Sequence, residues 1–199
     1  MVSAVILGAG AARRMGTVKQ LLPVAGHPMI WWTARAACAS AANDVLVVTG
    51  EHHAAIANAL QGLMVRLVYN PFWEEGQAAS VKAGLAAITK LSAKAVMFML
   101  ADQPLLTSEA VNELITAYFA GQGTIIAPVC QGIRKNPVIF DLARWRQPLM
   151  SLSGDQGGRQ LIAEYTSEVK SVNFTDEKLF LDVDTPDDYK NVLEIWGEL

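Results

Sequence analysis

The 199-residue chain is poor in cysteine and histidine and carries no strong charge of either sign. Its two cysteines, Cys38 and Cys130, form no CxxC pair and have no metal-ligand spacing to His27, His52 or His53. That argues against a zinc site or a disulfide framework and predicts two buried thiols in a reducing compartment. His52 and His53 are adjacent and would project to different sides of a helix, a poor metal geometry. Lys and Arg total 16 against 19 Asp and Glu, a formal charge of −3, so no global basic field points to nucleic acid or an anionic membrane. No run is long and apolar enough to span a bilayer. The apolar start, Met1 to Leu7, carries no basic n-region of the kind a secretion signal has; Arg13 and Arg14 follow the apolar run instead. These absences predict a cytoplasmic protein with no nucleic-acid or membrane partner, in which any bound anion is gripped locally.

The residues present describe a globular protein. A hydrophobic fraction of 52% with 18% charged residues suits a chain that buries a sizeable core, and no Gly/Ser/Pro linker or internal repeat divides it. We expect one domain over residues 1–199. Short apolar runs alternate with helical patterns. Strands are predicted at Ala4 to Leu7, Asp44 to Thr49, Val65 to Tyr69, Ala95 to Leu100, Thr124 to Ala127, Pro137 to Phe140, Val169 to Val172 and Phe180 to Val183. Helices are predicted at about Pro28 to Ala41, Ala54 to Leu60, Ala78 to Leu91, Ser108 to Ala120, Gln156 to Tyr165 and Pro186 to Trp196. The first and fourth strands are apolar on both faces, as central strands of a parallel sheet covered by helices must be. The fold class is therefore α/β, a three-layer α/β/α sandwich with a mostly parallel sheet. Trp31, Trp32, Met97 and Met99 are assigned to the core.

Ligands of such sheets collect beyond the carboxyl ends of the strands, and four segments stand there. In "VILGAGAARRMGTVKQLLP", Gly8 and Gly10 lack Cβ atoms, so backbone N–H groups can approach an anion, while Arg14 and Lys19 add positive charge. The segment is not a P-loop, because Lys19 is followed by Gln20, nor a dinucleotide fingerprint, because Arg13 stands where the third Gly or Ala belongs. In "FMLADQPLL", Asp102 is a carboxylate at the end of the most apolar strand, a place where ionisation is costly without a partner such as hydrated Mg²⁺. "LDVDTPDDY" places Asp182 and Asp184 on one face by period two, before Thr185 caps a helix whose Asp187 and Asp188 complement its dipole. "NPFWEEGQAASVKAGL" turns at Gly76 into a helix, offering free N–H groups and Ser80 to a ligand's polar edge.

Taken together these segments resemble a family. "LGAGAARRMGTVKQLLP" is similar to the signature LAAGxSxRMGxxKxLLP of the MobA-like nucleotidyltransferases, and most similar to the molybdenum cofactor cytidylyltransferase branch. The likeness continues in order through "NPFWEEGQAASVKAGL", "MLADQPLLT", "RKNPVIF", "LSGDQGGRQLI" and "LDVDTPDDY". It implies a Rossmann-like fold and Mg²⁺-dependent transfer of CMP from CTP to the phosphate of a molybdopterin-type cofactor, with pyrophosphate released. A molybdenum hydroxylase of the xanthine dehydrogenase type would receive the product. By the same resemblance Leu7, Gly8, Ala9 and Gly10, with Gly76, Gln77 and Ser80, would bind the nucleotide. Arg14 and Lys19 would neutralise the triphosphate, Asp102 and Asp184 (or Asp182 in its place) would hold the metal, and Asn136, Asp155 and Arg159 would meet the acceptor.

Ala at position 9, where guanylyl relatives have Gly, favours CTP. The family's "GMSSS" is "GQAAS" here, and Gly8, Ala101 and Lys135-Asn136 stand where Ala, Gly and Gly-His are usual. Two other readings share these residues: guanylyl transfer or another phosphorylated acceptor, and a non-catalytic nucleotide-binding chaperone.

Overall fold

The computed structural model of the chain describes residues 1–10, 17–88, 93–155 and 157–197. Its strands are β1 (Val2–Leu7), β2 (Pro23–Val24), β3 (His27–Pro28), β4 (Asp44–Thr49), β5 (Arg66–Tyr69), β6 (Ala95–Leu100), β7 (Ile125–Cys130), β8 (Ile133–Arg134), β9 (Val138–Asp141) and β10 (Val169–Phe174). The helices are α1 (Met29–Cys38), α2 (His53–Ala59), α3 (Gln77–Ala87), α4 (Ser108–Phe119), α5 (Leu142–Met150), α6 (Arg159–Glu164) and α7 (Pro186–Ile195).

The main sheet runs β10-β7-β9-β6-β1-β4-β5, with β8 paired to β7; β2 and β3 form a separate hairpin. The pairs β1·β4, β1·β6, β4·β5 and β7·β10 are parallel, whereas β9 runs antiparallel to both β6 and β7. The sheet is thus mostly parallel and central, as its two-sided apolar strands require.

Alternation along each strand divides the core into two layers. Val2, Ala4 and Ile6 of β1 and Met97 and Met99 of β6 pack with Ile30 and Ala34 of α1, Ile56 of α2 and Leu114 of α4. Val5, Val96 and Phe98 face the other way, against Val81 and Leu85 of α3, Trp145 of α5 and Leu161 of α6. Full burial of one such aliphatic or aromatic side chain contributes about 1.5–3 kcal/mol. A smaller cluster of Val24, Met29, Val183 and Val192 fastens α7 and the hairpin to the N-terminus of α1.

Capping follows the local sequence. Thr107 accepts from the Ala110 N–H at the start of α4, and Thr185 and Asp188 form a capping box on α7, with Pro186 at its first position. Helix α5 has no counterpart among the sequence expectations. The Asp141 carboxylate starts it by accepting from Ala143 N and Arg144 N at 2.9 and 3.2 Å, and its buried stripe is Leu142, Trp145 and Leu149. The Trp145 indole N–H donates to Thr124 Oγ1 at 2.9 Å.

Three expectations are corrected. Phe180 to Val183 is not a strand: Asp176 caps a 3₁₀ turn over Glu177–Phe180, and the residues after it have no ladder partner. Val183 N donates to Asp102 O at 3.0 Å, so this segment is fastened to the loop after β6 rather than to the sheet. Trp31 and Trp32 are only partly buried. They join a surface aromatic group in which the His27 ring stacks on Trp31 at 3.7 Å and Trp32 lies 4.5 Å from Trp196. Cys130 is buried but Cys38 is half-exposed, and both thiols are free.

Candidate active site

The parallel strands β1, β4 and β6 end at one edge of the sheet, and most of the residues singled out in the sequence stand along it. Gly8 N donates to Val48 O at 2.9 Å, so the chain leaving β1 stays pressed against β4. A Cβ on Gly8 would come within 3.0 Å of Ile30 Cδ1 and 3.2 Å of Val48 O, which explains the glycine by packing. Leu7 is half-buried and Ala9 buried, while Gly10 is exposed and a Cβ there would make only an ordinary contact with Gln20 Nε2 at 3.9 Å. The Gly10 carbonyl accepts from Gln20 Nε2 at 2.9 Å. Gln20 is itself buried and is not singled out in the sequence. Arg14 lies outside the described residues.

Lys19 opens a 3₁₀ turn, Lys19–Leu21, that delivers its side chain to the end of β6. Its ammonium donates to Asp102 Oδ2 at 2.5 Å, to Asp184 Oδ1 at 2.9 Å and to the Val183 carbonyl at 3.1 Å. The Lys19 and Asp102 side chains are each 16% exposed, and that of Asp184 is 42% exposed. Burial works to lower the Lys19 pKa, but the charge of Asp102 and the hydrogen bonds to both carboxylates outweigh it, and the pKa is raised. The lysine is therefore held in its charged form. Asp102 Oδ1 is buried with no hydrogen-bond partner, which leaves one lone-pair face of a carboxylate unsatisfied in the interior.

Asp182 has a different setting from Asp184. It accepts from Gln103 Nε2 at 2.9 Å. Burial first, and then the charges of Asp102 and Asp184, push its pKa up to about 6 against the opposing pull of the Gln103 hydrogen bond and the Arg159 charge. Gln103 is 1% exposed and its backbone carbonyl accepts from Thr33 Oγ1 at 3.1 Å. Sequence reasoning passes over it, although a polar residue directly after Asp102, just beyond an apolar strand, is a visible signal.

Helix α3 begins at Gly76, whose φ of 98° suits glycine. A Cβ there would lie 2.6 Å from Asp155 Oδ1 and from the Gly154 carbonyl. Ala78 N donates to that carbonyl at 3.0 Å, and Gln77 packs against Gly157. The "GQAAS" and "SGDQGG" segments are therefore in direct contact. Ser80 is buried and its Oγ accepts from Asn70 Nδ2 at 3.2 Å. Asn70, also missed in the sequence, holds its amide in place by accepting from Phe72 N at 3.0 Å.

Arg159 opens the six-residue α6, and its charge reaches Asp182. Asn136 precedes β9, and the antiparallel register Phe98↔Val138 brings it to the same sheet edge as Asp102. The structure thus gathers Lys19, Asp102, Asp182 and Asp184 in one cluster. Gly76, Gln77 and Asp155 form a second; Ser80 follows on the same helix, α3, with its hydroxyl bound to Asn70, and Asn136 stands just before β9.

Chemically, this edge offers paired carboxylates, a cation and close backbone approach. Asp102 and Asp184 are hard oxygen donors, and the orphaned Oδ1 of Asp102 suits an oxygen-seeking divalent cation. Among the described residues, no three carboxylate, histidine or cysteine side chains converge into a metal cage. An ion held here would draw its remaining ligands from water and phosphate, as Mg²⁺ usually does.

Comparison with known proteins gives the same direction. The chain is 28% identical over 200 residues to the purine catabolism protein PucB of Bacillus subtilis, with 94% of each chain covered. It is 24% identical to the molybdenum cofactor cytidylyltransferase of Escherichia coli, covering 100% of this chain and 98% of that one. A match to bifunctional GlmU of Maricaulis maris is 35% identical over 127 residues but spans only 27% of GlmU's length. Among solved structures, Rv0371c of Mycobacterium tuberculosis superposes with a TM-score of 0.86 at 27% identity, covering 97% of both chains. A manganese complex of Rv0371c superposes with a TM-score of 0.80 at 26% identity. A family model matches residues 4–169, and the chain accordingly belongs to the MobA-like NTP transferase domain family, with its Rossmann-like fold.

Proposed function

We propose that the protein is a cytidylyltransferase that moves CMP from CTP to the terminal phosphate of a molybdopterin-type cofactor, using Mg²⁺. An oxygen of the acceptor phosphate attacks the α-phosphorus of CTP and forms the new P–O–P linkage. The bond from the α-phosphorus to the bridging oxygen breaks, and that oxygen leaves on pyrophosphate. No covalent enzyme intermediate is needed, so the residues act by positioning and by electrostatics.

The observation that carries this reading is the meeting of Lys19, Asp102 and Asp184 where β1 and β6 end. A single site offers both a cation for phosphate and carboxylates for a divalent ion. Asp102 and Asp184 would hold the Mg²⁺, which when bound lowers repulsion between the two phosphates. The manganese complex of Rv0371c supports a divalent ion in a protein of the same fold. Leu7, Gly8, Ala9 and Gly10 bring backbone to the nucleotide, and Lys19 and Arg14 neutralise the triphosphate. Gly76, Gln77 and Ser80 are assigned to the nucleotide as well, and Asn136, Asp155 and Arg159 to the acceptor. The closeness of Gly76 and Asp155 supports this reading, since it joins the two segments so assigned. Ala9 and the full-length likeness to a molybdenum cofactor cytidylyltransferase support CTP and the pterin acceptor. A molybdenum hydroxylase is the receiver of such a product.

The test is calorimetric titration with CTP, GTP, ATP and UTP, each with and without Mg²⁺, followed by pyrophosphate release in the presence of the pterin acceptor. Selective Mg²⁺-dependent CTP binding and turnover are expected. Preference for GTP moves the protein to guanylyl transfer, and nucleotide binding with no turnover supports a chaperone role.

A further inference from the structure

Lys19 has three ammonium hydrogens, and its three hydrogen bonds occupy three acceptors: Asp102 Oδ2, Asp184 Oδ1 and the Val183 carbonyl. The same side chain is the one the proposed function assigns to the triphosphate, and the same carboxylates are those it assigns to the divalent ion. Both assignments cannot be satisfied in the arrangement observed. A phosphate oxygen finds no ammonium hydrogen left to donate to it. A divalent cation at the two carboxylates would meet a positive charge already held 2.5 and 2.9 Å from their oxygens.

We propose that Lys19 is the resident counter-ion of the metal site and gives up the carboxylates for the triphosphate, so that the divalent ion loads with or after the nucleotide. This rests on the transferase reading for the identity of the ligands, but not for the geometry. Without a cation, Asp102 would be a largely buried carboxylate with one oxygen already unpartnered, a costly state that the lysine relieves. The flexible four-carbon stem of lysine lets the charge move while the backbone of the Lys19–Leu21 turn stays in place. An incoming triphosphate supplies the negative charge that draws Lys19 away, and the vacated carboxylates take the cation that the same triphosphate helps to ligate. Neutralisation therefore passes from a side chain to an ion, and the interior charge of Asp102 is compensated throughout. A site in which Asp102 and Asp184 supply the carboxylate oxygens gains further from this order, because the nucleotide brings additional oxygen ligands.

The experiment is Mn²⁺ binding measured by electron paramagnetic resonance on the full chain, with and without CTP. The proteins are wild type, Lys19→Met, Lys19→Gln, Lys19→Arg and Asp102→Asn, each checked for folding by circular dichroism. Wild type is expected to bind Mn²⁺ weakly alone and at least about tenfold more tightly with CTP, a coupling of ordinary allosteric size. Lys19→Met and Lys19→Gln are expected to bind Mn²⁺ alone about tenfold more tightly than wild type and to lose most of the gain from CTP. Lys19→Arg keeps the cation and stays weak, and Asp102→Asn binds poorly throughout. Equal or weaker Mn²⁺ binding by both Lys19→Met and Lys19→Gln overturns the counter-ion role. Tighter binding in those variants, in a protein that takes no nucleotide, upholds the role and overturns the transferase reading instead.

Discussion

Gln103 Nε2 donates to Asp182 Oδ1 at 2.9 Å, and through this bond a buried side chain beside β6 holds the irregular segment that carries Asp184. The backbone bond from Val183 N to Asp102 O, at 3.0 Å, runs alongside it. Gln103→Leu removes the side-chain tie and leaves Asp182 without that donor in a buried setting. The expected cost is about 1–3 kcal/mol of stability in urea unfolding. In calorimetry the same variant should lose more affinity for divalent metal than for nucleotide, because its effect lies on the acidic segment.

Asp102→Asn keeps the shape of the side chain but removes the charge that Lys19 faces. If Asp102 and Lys19 act on the developing charge of the reaction, Asp102→Asn and Lys19→Ala each lower kcat about 100-fold or more. Single-turnover kinetics with the pterin acceptor check this. Far-UV circular dichroism of both variants should match wild type, since neither residue belongs to the two main core layers.

Gly76 combines a φ of 98° and ψ of −174°, a region nearly reserved for glycine, with close contact to Gly154 and Asp155. Gly76→Ala is expected to lower stability by about 1–3 kcal/mol for the backbone alone. The displaced loop should also raise KM for both nucleotide and acceptor. Thermal unfolding and initial-rate kinetics read the two effects separately.

Tyr118 Oη donates to Asp141 Oδ2 at 2.7 Å, linking α4 to the cap of α5. Burial, then the hydrogen bond and the charge of Asp141, raise the phenol's pKa above its ordinary value. A raised folded-state pKa means that the folded protein holds the proton more tightly than the unfolded chain. The associated stability is complete below the unfolded value of about 10 and is lost as pH rises above it. Tyr118→Phe should cost about 1 kcal/mol at neutral pH. The difference between wild type and variant should shrink in urea titrations carried above pH 10.

Which parts of the protein were legible in the sequence follows from how far each signal reaches along the chain. The parallel strands were visible because β1, β4 and β6 are buried on both faces and read as unbroken apolar runs. Helix α7 was visible because Thr185, Pro186 and Asp188 form a local cap. Helix α5 was not: its Pro148 and its arginines mask the spacing of Leu142, Trp145 and Leu149, and Asp141 starts it from the end of a strand. Phe180 to Val183 carried a strand's composition, yet the 3₁₀ turn at Glu177–Phe180 and the bond from Val183 N to Asp102 O kept it out of the sheet.

In the candidate site, the residue types at the strand ends could be read directly, since Gly8, Lys19, Asp102 and Asp184 sit in short motifs with a stated chemistry. Their pairing could not. Lys19 and Asp184 are 165 residues apart, and Gln103 and Asp182 are 79 apart. Asn70, Gln20 and Gln103 gained importance only through burial, which converts an ordinary amide into a group that must find a partner. The α/β layering and the residue types at the strand ends could therefore be read directly, because apolar periodicity and local capping act within a few residues. That Lys19 lies between Asp102 and Asp184 emerges on folding, because hydrogen bonds between distant segments depend on where packing brings their backbones.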